Sequence, residues 1–194
     1  RSALQNNTTS SNTTAVGYQA GYSNTTGPNL TALGRWALYN NTTGADNTAV
    51  GLNALLNNST GGSNIAVGQQ ALNSNTTASS NTAVGYQAAY SNTTGISNAA
   101  FGRETLRNST TSNYNAAFGS AAGYSNVTGE NNTYLGFAAG YSATGSRNTF
   151  VGARNGTHGS GQLMTTGSAN TILGAFDGNQ NGLDIRTSSN NIVL

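Results

Sequence analysis

Bulky apolar residues recur along this chain at a nearly constant interval, and each is followed directly by glycine. The first seven intervals between these glycines are identical, the eighth is one residue shorter, and the ninth is longer. The ten glycines are Gly17, Gly34, Gly51, Gly68, Gly85, Gly102, Gly119, Gly136, Gly152 and Gly174. A short period of this kind, sustained over most of a chain, indicates a solenoid, in which each repeat forms one coil that contacts mainly its neighbours.

The repeat reads N-T-A-V-G-Y-Q-A-L-Y-S-N-T-T-G-x-S when the recurrent glycine is numbered position 5. A helix does not fit, because the period is far from a whole number of helical turns and Gly and Asn-Thr-Thr recur too often. The pattern predicts an all-β parallel solenoid, a β-roll with about 17 residues per coil. One short strand is expected at positions 1–4 and a second at Tyr18-Gln19-Ala20 and its counterparts. Asn-Thr-Thr-Gly is expected to form a turn, in which Gly supplies the positive φ.

Position 4 is always Val, Leu or Phe, which predicts that it faces the interior of the coil. Side chains alternate between the two faces of a strand, so position 2 is then expected to point inward and position 3 outward. The predicted coil core is Val16, Leu33, Val50, Val67, Val84, Phe101, Phe118, Leu135, Val151 and Leu173.

Position 3 is Ala in the first seven repeats, which predicts an outward stripe of methyl groups. Small side chains let another backbone approach closely, so we expect several thin solenoids to pack side by side as a homo-oligomer. The proposed seam between chains is Ala15, Ala32, Ala49, Ala66, Ala83, Ala100 and Ala117. Tyr134, Phe150 and Ile172 then replace Ala, and the chains are expected either to splay apart there or to form a thicker rod.

The repeat divides the chain into three parts. Residues 1–11 form an N-terminal lead-in, and residues 12–174 form the repeat domain with an insertion at 154–168. Residues 175–194 are expected to hold a turn at Asp177-Gly178-Asn179 and two short strands, at 183–185 and 192–194. This tail is interpreted as a cap or as a transition to another fibrous fold. The abrupt start at Arg1 suggests a fragment of a longer chain.

Composition excludes several classes of function. Only 6% of residues are charged, the net charge is +2, and the seven basic residues are scattered arginines, so no basic face for nucleic acid is expected. No apolar run approaches the roughly 18 residues of a membrane span, and no signal peptide opens the chain. Cysteine is absent, which leaves no disulfide scaffold.

Chemistry-bearing side chains are few and isolated. His158 is the single histidine, and without further ligands it predicts an exposed loop residue and no metal site. Glycosidase chemistry needs two facing carboxylates, and only Asp177 and Asp184 could approach each other. We interpret these two as a turn residue and a strand-flanking residue. The sequence therefore predicts no catalytic residue, no metal, no cofactor and no enzyme activity.

Three polar or aromatic patterns suggest more specific functions, namely glycosylation, sugar binding and ice binding. Asn-Thr-Thr is an acceptor pattern for N-glycosylation as well as a turn, with candidate sites at Asn24, Asn41, Asn58, Asn75, Asn92 and Asn126. A tyrosine row at position 10 is expected either to stack between coils or chains, or to bind sugars. It comprises Tyr22, Tyr39, Tyr90, Tyr124 and Tyr141. If Trp36 at position 7 is buried it belongs to the core, and if it is exposed it belongs to a contact surface. Regular threonines raise ice binding as an outside alternative, although the Thr pair is expected in the turn.

The runs Asn47-Thr-Ala-Val-Gly51 and Asn81-Thr-Ala-Val-Gly85-Tyr-Gln-Ala88 resemble the head repeats of YadA-type trimeric autotransporter adhesins. They are more similar still to shaft repeats of bacteriophage tail fibres, over residues 12–174. The resemblance implies a left-handed parallel β-roll assembled as a homotrimer, with a structural or adhesive role in a virion tail fibre or on a cell surface. It implies a cell-surface glycan or protein receptor as a further partner, whereas composition and hydropathy are the grounds for expecting no nucleic acid and no membrane insertion. Adhesin heads use repeats a few residues shorter, which leaves the number of strands per coil open.

Overall fold

A computed structural model describes residues 2–152 and 159–194. These residues contain no helix, and each repeat contributes one three-residue strand at positions 2–4. The strands of the repeats are β1 Thr14–Val16, β2 Thr31–Leu33, β3 Thr48–Val50, β4 Ile65–Val67, β5 Thr82–Val84, β6 Ala99–Phe101, β7 Ala116–Phe118, β8 Thr133–Leu135, β9 Thr149–Val151 and β10 Thr171–Leu173. Each strand pairs in parallel with the next in unbroken register, as Ala49 does with Ala66. The predicted parallel β-solenoid is confirmed, with about ten coils that repeat at the period of the sequence.

The second strand predicted at Tyr18-Gln19-Ala20 is wrong, because positions 6–9 form turns. Positions 7 and 9 have left-handed backbone angles, with φ of 60° at Trp36 and 52° at Leu38. The backbone N–H of Trp36 bonds to the Tyr18 carbonyl of the preceding coil at 3.0 Å, and that of Leu38 bonds to Ala54 of the following coil at 3.0 Å. Left-handed angles are costly for residues with a side chain, and these hydrogen bonds to both neighbouring coils offset that cost.

Glycine at position 5 is required by the close approach of neighbouring coils. Gly34 has a φ of +137°, and a Cβ placed on it would lie 2.6 Å from the carbonyl oxygen of Gly51. Any side chain would therefore force the coils apart, which explains why this position gives the period of the sequence.

The two faces of the strand are the reverse of those predicted. Position 3 points inward: Ala15 is partly buried at the end of the stack, and the other six residues of the proposed seam are completely buried within one chain, namely Ala32, Ala49, Ala66, Ala83, Ala100 and Ala117. Position 4 points outward and is half-buried or exposed at all ten residues of the predicted core: Val16, Leu33, Val50, Val67, Val84, Phe101, Phe118, Leu135, Val151 and Leu173. The six buried alanines are thus inaccessible to a second chain, and the bulky row is not the core.

The physical reason lies on the opposite wall of the coil. Leucines at position 9 extend into the interior and are completely buried, as Leu55 and Leu72 are. Such side chains leave space for only a methyl group at position 3. Buried alanines at position 8, such as Ala54 and Ala71, complete this thin core.

Both ends of the chain continue the stack. Residues 2–11 are part of a coil and not a lead-in, since the backbone N–H of Leu4 bonds to Ala20 at 3.0 Å and that of Thr8 to Thr25 at 3.0 Å. In the tail, β11 Asn179–Gln180 and β12 Leu183–Asp184 form an antiparallel hairpin. Strand β13 Ile192–Val193 then pairs in parallel with β10 and adds an eleventh strand to the main sheet. The predicted insertion at 154–168 lies partly outside the described residues.

Candidate functional site

The outward face of the sheet carries a continuous apolar row. We call the ten position-4 residues, Val16 through Leu173, the outer apolar row. Exposure along it is 64% at Val16, 41% at Phe118 and 46% at Leu135. The rings of Phe101 and Phe118 stack with centroids 4.9 Å apart and planes 3° apart. The solenoid thus presents apolar side chains in register along a rod about 50 Å long, at about 4.8 Å per coil.

A threonine row lies beside the outer apolar row on the same face. Position 2 points outward because it is two residues from position 4 on the strand. Its threonines, half-buried or exposed, are Thr14, Thr31, Thr48, Thr82, Thr133, Thr149 and Thr171. The prediction that position 2 faces inward is therefore wrong, and hydroxyl groups share the sheet face with methyl groups and rings.

Asparagines form two buried ladders along the stack. At position 12, the Asn41 Nδ2 donates to Asn24 Oδ1 at 2.9 Å and to the Gly44 carbonyl at 3.0 Å. At position 1, the Asn47 Oδ1 accepts the backbone N–H of Asn64 at 2.9 Å. These bonds tie each coil to its neighbour and close the turn within the coil.

The ladder at position 12 contains all the candidate glycosylation sites. Their exposure is 0–1%, for Asn24, Asn41, Asn58, Asn75, Asn92 and Asn126. N-glycosylation requires an accessible amide nitrogen, whereas these nitrogens donate hydrogen bonds inside the coil. The structure therefore contradicts glycosylation of the folded chain at these sites.

The tyrosine row at position 10 is half-buried and stacks along the rod. Tyr22 and Tyr39 have ring centroids 5.2 Å apart, and Tyr124 and Tyr141 have centroids 4.9 Å apart. Arg107 places its guanidinium 5.4 Å from the Tyr90 centroid and 5.8 Å from that of Tyr124. Much of this row is thus occupied by packing between coils.

The two acids that could have formed a catalytic pair each have a separate partner. Asp177 is buried, and its Oδ1 accepts the backbone N–H of Asn179 at 2.8 Å. Asp184 is exposed on β12 and accepts from Arg186 Nε at 2.9 Å and Nη2 at 2.7 Å. The hydrogen bond from the Arg186 side chain lowers the pKa of Asp184 to about 2.

The remaining expectations from the sequence concern His158, metal binding and membrane insertion. His158 lies outside the described residues. Over 2–152 and 159–194, no group of three or more His, Cys, Asp or Glu side chains lies close enough to hold a metal ion. The same ranges contain no helix long and apolar enough to cross a membrane.

Comparison of the chain with protein-family models, with curated proteins and with solved structures finds no match in any of the three. The candidate site therefore rests on the geometry of the outward face.

Proposed function

We propose that this chain is a segment of an extracellular fibre in which copies pack side by side through the outer apolar row. The observation that carries the proposal is the unbroken run of bulky apolar side chains on the outward face. Contiguous exposed apolar surface usually marks an interaction site. The seam proposed from the sequence at position 3 is thereby replaced by position 4 of the same strands.

The thin interior supports this assembly. The N-terminal coils bury mainly alanines, with a leucine at position 9 in most of them, which is little apolar surface for a whole coil of backbone that must be ordered. Burial of Val67 and its equivalents between chains would add apolar burial in every coil. The net charge of +2 adds little repulsion between copies.

We expect a homotrimer, because the repeat resembles those of trimeric fibres. Three identical rods would hold a binding end away from a particle or cell, and their threefold repetition would make weak surface contacts multivalent. A virion tail fibre is the role we favour, and a trimeric bacterial surface adhesin is the alternative. A particle-anchoring domain elsewhere in the full protein would favour the fibre, and an outer-membrane anchor would favour the adhesin.

The mass in solution tests the seam. Sedimentation equilibrium of the wild-type chain is expected to give three chains per particle. Val67→Lys is expected to shift the particle towards monomer, because three lysines would meet in an apolar interface. Thr77→Lys is the matched control, since Thr77 is exposed at position 14 of the same coil. A folded wild-type monomer, or a trimer that Val67→Lys leaves intact, would contradict the proposal.

The threonine row favours ice binding as a second candidate. The sequence places threonine pairs in turns, but the structure adds Thr31, Thr48 and their equivalents in register on a rigid sheet. Ice binding would use the hydroxyl and methyl groups of these threonines, although Ile65, Ala99 and Ala116 interrupt the row. Ice binding requires that this face be free of other chains, whereas the fibre proposal requires that other chains cover it. The same sample can therefore distinguish the two functions. Thermal hysteresis in a monomeric sample, lost in Thr48→Asp, would support ice binding, and its absence would exclude it.

A further inference from the structure

The chain has a single tryptophan, and the fold does not require it. Trp36 is at position 7, where neighbouring coils carry amide side chains at nearly the same backbone angle. The φ is 60° at Trp36, 54° at Gln19 and 59° at Asn53. A glutamine or asparagine therefore satisfies this backbone position, and the half-buried indole calls for another explanation.

Trp36 lines a cleft formed by residues at positions 7, 10 and 11 of three consecutive coils. The cleft has a volume of about 300 Å³ and is lined by Gln19, Trp36, Tyr39, Asn40 and Leu56. This volume is at the lower end for small-molecule sites and suits a ligand of about one ring.

The cleft opens where the tyrosine row is interrupted. Tyr22 stacks on one face of Tyr39, but the next coil carries Leu56 at the equivalent position. In the C-terminal part of the row, Tyr124 and Tyr141 stack directly on each other and close the same space. The interruption leaves Tyr39 and the indole as aromatic walls of one cleft.

The indole is held in position by its neighbours. Its Nε1 donates to Gln19 Oε1 at 2.9 Å, and the Arg35 guanidinium lies 3.8 Å from the centre of the ring. A cation over the ring face and a hydrogen bond at its edge restrict the indole before any ligand arrives.

The polar groups at the rim are neutral amides. Gln19 uses its oxygen to accept from Trp36, which leaves its amide nitrogen to donate. Asn40 uses its nitrogen to donate to Asn57 Oδ1 at 3.1 Å, which leaves its own oxygen to accept. One donor and one acceptor beside aromatic walls match a ligand that has hydroxyl groups on its edge and an apolar face.

We propose that the cleft beside Trp36 binds one neutral carbohydrate ring. A sugar offers C–H groups for stacking on the aromatic walls and hydroxyls for the two amides. None of the five lining side chains is charged, so the cleft itself supplies no ion pair for an anionic ligand. The site lies within one chain and goes beyond the proposed assembly.

The single tryptophan makes the site directly measurable. Neutral oligosaccharides of glucose, galactose, mannose and N-acetylglucosamine are titrated separately up to about 10 mM, a range that covers weak sites. We expect a saturable change in the fluorescence of Trp36 with at least one of them. No saturable change with any of the four would overturn the proposal.

Calorimetry with the active sugar then tests Trp36→Gln, which restores the residue type of neighbouring coils. We expect affinity to fall at least about tenfold, with an unchanged thermal unfolding curve. Tyr141→Leu, in the closed part of the row, is the matched control and is expected to bind normally. Equal affinity of Trp36→Gln and wild type would overturn the assignment. So would binding confined to sialylated or phosphorylated sugars and lost in Arg35→Gln, because that would be ion pairing.

The Val67→Lys variant, which alters the proposed seam between chains, tests whether sugar binding is independent of the proposed assembly. Val67→Lys is expected to keep the fluorescence response even where it changes the particle mass. Loss of the sugar response in a folded Val67→Lys monomer would contradict a site contained within one chain.

Discussion

The N-terminal and C-terminal coils fill the same interior from opposite walls. In the coils of β2–β6, position 3 is Ala, and position 9 is Leu in four of the five, with Ala89 as the exception. In the coils of β8 and β9, position 3 is Tyr134 or Phe150 and position 9 is Gly. A Cβ on Gly140 would lie 2.4 Å from the Tyr134 ring, so the ring occupies the space of a leucine. Between the Ala–Leu coils and the coils of β8 and β9, the summed side-chain volume at positions 3 and 9 is thus nearly conserved while the large residue changes walls, as close packing favours.

The same two regions differ in the asparagine ladder at position 12. The ladder is unbroken from Asn24 to Asn92, after which the position is Ser109, Asn126, Ala143 and Met164. Among the described residues, the buried Oδ1 atoms of Asn92 and Asn126 have no hydrogen-bond partner. Each faces a following coil in which serine or alanine replaces the next amide donor. At position 12 the apolar side chains of Ala143 and Met164 therefore replace the ladder at the C-terminal end, whereas the ladder at position 1 continues to Asn191.

The largest expected effect comes from placing an aromatic ring in an N-terminal coil. Ala66→Tyr would force a ring against Leu55 and Leu72, which already fill the interior. We expect a loss of more than about 3 kcal/mol in the free energy of unfolding, from overpacking. Denaturant unfolding followed by circular dichroism measures it.

The adjacent residue supplies the control for that variant. Val67→Tyr points outward and is expected to cost less than about 1 kcal/mol in the unfolding of a single chain. The triple variant Ala66→Tyr, Leu55→Gly, Leu72→Gly reproduces the C-terminal arrangement and should recover part of the loss through coupling. An Ala66→Tyr chain as stable as wild type would refute the exchange of volume across the core.

A smaller effect is expected from repairing the ladder at its first break. Ser109→Asn with Ser112→Gly recreates the arrangement of Asn92 and Gly95, and the new amide can donate to Asn92 Oδ1. We expect a gain of about 1–2 kcal/mol, from satisfying buried polar atoms. Thermal and urea unfolding of the double variant measure the gain. The control Ser109→Ala with Ser112→Gly lacks the amide, and equal stability of the two variants would contradict the ladder explanation.

The smallest effect concerns the hydroxyl group of Tyr134. The ring is completely buried, and its oxygen has no hydrogen-bond partner among the described residues. Burial raises the pKa of this phenol well above its ordinary value. Tyr134→Phe removes the unpaired hydroxyl and should add up to about 1 kcal/mol of stability. Tyr141→Phe, on a half-buried ring, is expected to change the unfolding midpoint little, and a loss of stability in Tyr134→Phe would reveal a partner for the hydroxyl.

Sequence reasoning identified the solenoid but reversed the faces of its strands. Alternation establishes that positions 3 and 4 face opposite sides, yet not which side is inward. The reciprocal sizes at positions 3 and 9 were the available signal, since Tyr134 appears with Gly140 and Ala66 with Leu72. Two positions that exchange volume share one space, and position 4 has no such counterpart.

The candidate sites were predictable to different degrees. The tyrosine row follows from its spacing, and its stacking is the direct result of the parallel register. The cleft at Trp36 depends on how position 7 of one coil meets position 10 of the next, which spacing alone does not define. The six Asn-Thr-Thr-type sites show the opposite case, because the pattern of an exposed acceptor is also the pattern of a buried ladder.

The sequence by itself determined the period and the register of the coils, because position 5 carries glycine in every repeat and a side chain on a residue such as Gly34 would collide with the next coil. Only the tertiary structure decided which side of the strand is buried. That choice depends on the width of the interior, which leucines such as Leu55 fill from the far wall. With the interior filled, the bulky residues of position 4 can only face outward, where a partner can cover them.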